Sequence, residues 1–119
     1  MKASFLLASL FATLLTAQAA PLETRSSMSG SGTYYDVGLG SCGHKNSNSD
    51  MVAALSSDLM DGGKLCGKSI TVKSKKGSVT LTVVDTCPSC DSGDVDMSSA
   101  AFKKLGSLDE GRIPITWSY

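Results

Sequence analysis

Val83-Val84-Asp85-Thr86-Cys87-Pro88-Ser89-Cys90-Asp91-Ser92-Gly93-Asp94-Val95-Asp96-Met97-Ser98 is the stretch on which the reading of this chain turns. It leaves a β-type run, crosses a cysteine-bracketed turn and carries four carboxylates, Asp85, Asp91, Asp94 and Asp96, before a helix expected to start at Ser98. Asp residues in Gly- and Ser-rich loops are usually turn formers or helix caps. Asp91 and Asp94 fit that role, which leaves Asp85 and Asp96 as the candidates for chemistry.

Immediately upstream, Ile70-Thr71-Val72-Lys73 and Val79-Thr80-Leu81-Thr82-Val83-Val84 alternate branched apolar with polar residues around a Lys75-Lys76-Gly77 turn, the pattern of a half-buried hairpin. Downstream, Ser98 caps an expected helix from Ser99 to Leu105 whose Ala101, Phe102 and Leu105 form an inward stripe, and Gly106 stops it. Ile113, Ile115, Trp117 and Tyr119 then alternate along a final strand that closes a barrel. Further back, Thr33-Tyr34-Tyr35-Asp36-Val37 is β-forming, and the glycines at 38, 40 and 43 turn the chain sharply. Met51 to Met60 fits both a helical face and a short buried strand on periodicity alone.

The remaining sequence bounds the class. The chain has 119 residues, room for one domain of roughly 100 residues once a leader is removed. Met1-Lys2, the apolar run from Ala3 to Ala17, and Ala17-Gln18-Ala19 have the layout of a secretory signal peptide, residues 1–19, too short for a convincing membrane span. Residues 20–31 are expected to be a flexible leader and 32–119 the folded domain. Lys and Arg balance Asp and Glu at 11 each, so the footprint of a nucleic-acid binder is missing. Four cysteines beyond the signal, in an oxidising compartment, favour two disulfides over a zinc site or free thiols. Each would stabilise a core limited to three Phe, three Tyr and one Trp by about 2 to 4 kcal/mol.

Taken together, Gly32-Thr33-Tyr34-Tyr35-Asp36, Cys66-Gly67-Lys68, Val83-Val84-Asp85-Thr86-Cys87-Pro88, Val95-Asp96-Met97-Ser98 with Ala101-Phe102, and Gly111-Arg112-Ile113-Pro114-Ile115 resemble the double-psi β-barrel proteins. That group includes the first domain of expansins, barwin and its relatives, the rare lipoprotein A-like proteins, and small secreted fungal members. The resemblance implies a mainly β fold: a six-stranded double-psi β-barrel with one or two short helices. It resolves Met51 to Leu55 as a strand, with helix only near Ser57 to Asp61. From resemblance to barwin, Cys42 is expected to pair with Cys66; Cys87 and Cys90 then pair because barwin's remaining partner is missing here.

In expansins the polysaccharide groove is lined by a Thr and two Asp residues that correspond to Thr33, Asp85 and Asp96. One of Tyr34 and Tyr35, strand neighbours that point to opposite faces, is expected to join them. The aromatic that bacterial expansins place two residues after the first Asp is Cys87 here, and nothing corresponds to their second, carbohydrate-binding domain. The related endoglucanases place a catalytic base directly after the tyrosine pair, which is Asp36, and their second carboxylate corresponds to Asp96. Asp36 and Asp96 would therefore be catalytic only if the protein were hydrolytic, with an ionised base and a protonated acid roughly 6.5 to 9.5 Å apart.

Competing chemistries are less well supplied. Cys87-Pro88-Ser89-Cys90 lacks the βαβ context of a redox motif, and His44 is the single histidine, too little for Ser-His-Asp or Cys-His catalysis. Lys73, Lys75 and Lys76 form a basic turn that is either simply solvated or a contact for anionic wall polymers. The expectation is a secreted, extracellular, monomeric protein that binds or loosens cell-wall polysaccharide without hydrolysis. It needs no cofactor or metal and has no nucleic-acid or membrane partner. The alternatives are a cysteine-protease inhibitor acting on a secreted protease, or another protein-binding effector module, and a weak inverting glycosidase.

Overall fold

The computed structural model describes residues 27–119. The first strand, β1 (Ser27–Tyr34), is followed by a long loop to β2 (Val52–Ser56) and the one-turn helix α1 (Ser57–Met60). The hairpin β3 (Ser69–Lys73) and β4 (Ser78–Cys87) comes next, then the three-residue β5 (Val95–Met97) and helix α2 (Ser99–Leu105). A 3-10 turn at Leu108–Glu110 leads to β6 (Ile113–Ser118). The strands close into a barrel in the order β1-β5-β2-β4-β3-β6, with β6 returning to β1.

Two of the six neighbouring pairs, β1–β5 and β2–β4, are parallel; the others are antiparallel. Parallel neighbours need crossover connections, and here the crossings are tight. A Cβ at Gly30 would overlap the Gly93 carbonyl, and one at Gly93 would overlap the Ser29 carbonyl. Only glycine fits at both positions, and Trp117 fixes the same point by donating its indole N–H to the Gly93 oxygen at 2.8 Å.

Alternation fills the interior. Val72, Leu81, Val83, Met97, Ile115 and Trp117 belong to the core, and Phe102 on α2 plugs it. Ser98 caps α2 as expected, accepting the Ala101 N–H at 3.2 Å, while its own hydroxyl donates to the Asp50 carbonyl. The expected hairpin is present, the strand expected at Met51 to Leu55 runs from Val52 to Ser56, and the short helix expected near Ser57 to Asp61 spans Ser57–Met60. Disulfides join Cys42 to Cys66 and Cys87 to Cys90.

The expected leader needs correction. Residues 27–31 belong to β1, where Ser27 to Ser31 pair with Ser118 to Pro114 of β6, so order begins at Ser27 and not at Gly32. Small Ser and Gly side chains carry no apolar periodicity, yet their backbone N–H and C=O groups complete a ladder the barrel cannot close without. The expected signal peptide, and the leader up to residue 26, lie outside the described residues. Tyr119 falls just beyond β6, exposed and stacked on Trp117 at 5.8 Å between ring centroids.

Candidate functional site

Register places the candidate side chains on a single rung across the barrel. Thr33 of β1 is opposite Asp96 of β5, Asp96 is opposite Ala54 of β2, and Ala54 is opposite Asp85 of β4. Directly opposed residues share a face. Ala53 and Leu55 point into the core, so Ala54 between them, together with its rung partners, points outward.

Asp85 reaches that face through an irregularity. The β2–β4 pairing shifts between Ala53↔Val83 and Ala54↔Asp85, so Val84 is an extra residue and the alternation slips by one. Had the alternation of Val79, Leu81 and Val83 continued, Asp85 would point into the apolar core. The loop after β1 lies over this bulge: Cys42 N–H donates to the Val84 carbonyl at 3.2 Å, and a Cβ on Gly40 would overlap the same carbonyl. Asp85 Oδ1 accepts the N–H groups of Ser41 and Thr86, each at 2.8 Å, and the Ser41 and Thr86 hydroxyls share a hydrogen bond of 2.8 Å. The Cys42–Cys66 disulfide ties the same loop to the segment before β3.

At the centre of the rung, the Thr33 hydroxyl donates to Asp96 Oδ1 at 2.8 Å. Asp96 is half-buried, and its carboxyl is held above the usual range. Loss of solvation is the main cause and the negative charge of Asp85 adds to it, against the opposing bonds from Thr33 and the Met97 N–H and the charge of Arg112. Tyr35 is two residues along from Thr33 on the same face, with its N–H on the Met97 carbonyl at 3.0 Å. Burial, then Asp85 and Asp96, push its phenol up to about 12, so it remains a neutral donor. Its hydroxyl is buried and has no hydrogen-bond partner among the described residues.

The two tyrosines divide as strand geometry requires, but only one joins the cluster. Tyr34 packs its ring on Phe102 with centroids 4.9 Å apart and donates its hydroxyl to the Leu108 carbonyl at 2.9 Å. Of the expected binding residues, Thr33, Tyr35, Asp85 and Asp96 are thus brought together, and Tyr34 is turned to the α2 side. Asp36 is also outside the cluster. It is exposed, accepts from Asn48 Nδ2 at 3.4 Å, and is not among the charges that bear on Asp96. Asp91 and Asp94 are structural: Asp94 accepts the N–H groups of Ser31 and Asp91, each at 3.0 Å.

Ser41, Thr86, Ala54 and Arg112 are the members that motif reasoning missed. Arg112 precedes Ile113, which pairs with Gly32, so the next antiparallel step sets it opposite Thr33. All four cysteines are in disulfides, and no group of three or more His, Cys, Asp or Glu residues is placed to hold a metal among the described residues. No helix among them is long and apolar enough to cross a membrane.

Residues 27–117 match the double-psi β-barrel family model described as lytic transglycolase. A papain inhibitor of Streptomyces mobaraensis is 39% identical over 101 residues, covering 77% of this chain and 71% of that protein. The solved structure of a Streptomyces papain inhibitor superposes with a TM-score of 0.69 at 36% identity, over 77% of this chain and 92% of that one. A mutant Clavibacter michiganensis expansin in complex with cellohexaose superposes with a TM-score of 0.72 at 31% identity. That match covers 77% of this chain but spans only 49% of the expansin.

Proposed function

Because the chain belongs to the double-psi β-barrel family described as lytic transglycolase, we propose that it is a secreted protein whose outer rung binds cell-wall polysaccharide without hydrolysing it. The observation that carries this reading is the clustering of Thr33, Asp96 and Asp85 on one rung beside the buried, unpartnered Tyr35 hydroxyl. An unsatisfied buried hydroxyl is costly, and the part of the rung open to a ligand is formed by Thr33, Asp85 and Asp96, each partly exposed. Sugar hydroxyls both donate and accept. The rung offers carboxylate acceptors at Asp85 and Asp96, a phenol donor at Tyr35 and a guanidinium at Arg112. Ala54, 2% exposed, adds no polar group to the rung. The expansin bound to cellohexaose shares this fold over its matched half.

Several features favour binding over cleavage. An inverting reaction needs an ionised base paired with the acid, and Asp36, the candidate base, is exposed and accepts a hydrogen bond from Asn48. Asp85 has one oxygen committed to two backbone N–H groups. The match spans 49% of the expansin, and the proposal is confined to binding.

A second reading, inhibition of a cysteine protease, is favoured by a different feature. Leu39 is 75% exposed on the loop that Asp85 and the Cys42–Cys66 disulfide hold rigid, and a preorganised apolar tip is suited to enter a protease cleft. The same full-length protein should be tested for sedimentation with insoluble cellulose, chitin and peptidoglycan, for release of reducing sugar, and for inhibition of papain. Retention on at least one polymer without sugar release is expected. Papain inhibition without retention on any polymer would replace the proposal with the second reading, and release of sugar would replace it with a glycosidase.

A further inference from the structure

An open surface hollow of about 280 Å³ lies against the tip of the β3–β4 hairpin, lined by Lys73, Ser74, Lys75, Pro114, Ile115 and Thr116. A second, of about 220 Å³, adjoins it through the shared Ser74, Lys75 and Pro114 and extends to Lys76, Leu105 and Glu110. Neither shares a residue with the rung. Along β4, Ser78 at the tip is seven residues from Asp85, about 23 Å of extended strand.

The tip is held in place rather than waving in solvent. Ser74 Oγ donates to the Leu105 carbonyl at 2.7 Å and accepts the Lys76 N–H at 3.1 Å, and Ser74 N–H closes the turn on the Gly77 carbonyl at 2.9 Å. Gly77 lies so close to the end of α2 that an added Cβ would be 3.0 Å from the Lys104 carbonyl. Docking therefore sets Lys73, Lys75 and Lys76 beside Lys103 and Lys104 of the last turn of α2, all five exposed. None of them makes an ion pair among the described residues, where the single salt bridge is Lys64 with Asp61. In a chain with balanced charge, this concentrates positive potential on one end of the barrel.

From this we propose that the paired hollows are a second glycan site, selective for acidic polysaccharide whose sugar rings carry carboxylates. The lining fits that chemistry more closely than it fits a bare anion. Pro114 and Ile115 give an apolar floor for the C–H face of a ring, Ser74 and Thr116 bring hydroxyls beside it, and Lys73 and Lys75 stand at the edge as point charges for a carboxylate. The larger hollow has room for one sugar ring, and its neighbour continues the track for a second. Carboxylate recognition belongs to the first hollow. Glu110 lines the second with a negative charge, although its Oε1 is occupied by the Ser107 N–H at 2.7 Å, and the carbonyl end of α2 faces the same side.

The test is affinity electrophoresis and sedimentation of the full-length protein with polygalacturonate, against its fully methyl-esterified form and against polyphosphate. Retention on polygalacturonate at low ionic strength is expected, at least tenfold weaker after esterification and weakening as salt rises. Lys73→Gln with Lys75→Gln and Lys76→Gln should lower that affinity at least tenfold at an unchanged melting temperature. Lys45→Gln with Lys64→Gln and Lys68→Gln, the same charge change elsewhere, should alter it less than twofold. Equal losses in the two triple variants would reduce the effect to net charge and overturn the site. Equal retention on polyphosphate would overturn the sugar-carboxylate selectivity.

Discussion

Asp96→Asn isolates the charge at the centre of the rung with almost no change of shape. The asparagine oxygen can still accept from the Thr33 hydroxyl, which sits 2.8 Å from Asp96 Oδ1, so the register of β1 and β5 is preserved. What disappears is a negative charge that is half-buried and faces a second carboxylate. Its carboxyl is held above the ordinary range in the folded protein by desolvation and then by Asp85. A raised folded value means that the native state binds more protons than the unfolded chain across that interval. Stability from this group is therefore present at low pH and falls as pH rises from the ordinary Asp value through the folded one. At neutral pH the ionised Asp96 is a net cost to folding, so Asp96→Asn should melt at the same temperature or higher, with a flatter dependence on pH in the mildly acidic range. Polysaccharide binding should move the opposite way. A hydrogen bond to a charged group is worth about 1.5 to 3 kcal/mol, or about 10- to 150-fold in affinity, and partial exposure places the expected loss near the lower end. Isothermal titration with a soluble oligosaccharide of the retained polymer, alongside melting curves between pH 4 and 7, measures both. Binding unchanged within twofold would refute the groove role of Asp96, and a melting temperature lowered at pH 7 would refute the account of its buried charge.

Trp117→Phe removes the indole donor and leaves the Gly93 carbonyl unpaired at the strand crossing; a loss of about 1 to 3 kcal/mol is expected, read by chemical denaturation. Gly93→Ala drives a Cβ into the Ser29 carbonyl and should cost about 4 kcal/mol or more, in the class of severe core damage, so a cooperative melt close to that of the parent protein would contradict the crossing geometry. A chain shortened to begin at Gly32 loses the pairing of Ser27 to Ser31 with β6 and should fail to give a cooperative thermal transition by circular dichroism, whereas one beginning at Ser27 should retain it.

The sequence disclosed most where side chains carry the fold and least where the backbone does. Alternation in β3, β4 and β6 and the Ser98 cap are written in residue type, and the structure follows them. Residues 27–31 escaped notice because Ser-Met-Ser-Gly-Ser has no apolar pattern; its place in β1 is due to main-chain pairing and to Gly30 passing over Gly93. For the site, motif resemblance located Thr33, Asp85 and Asp96, but motif spacing says nothing about facing. The sign was present in Val83-Val84, two apolar residues that interrupt the alternation immediately before an Asp. An acid continuing that alternation would have to be buried in the core, which desolvation forbids without a partner. The chain avoids the conflict with the bulge at Val84, which sends Asp85 outward onto the rung with Ala54 and Asp96. Once there, it can grip the loop through Ser41 and bear on both Asp96 and Tyr35. One inserted residue therefore relieves a folding conflict and builds the electrostatics of the site.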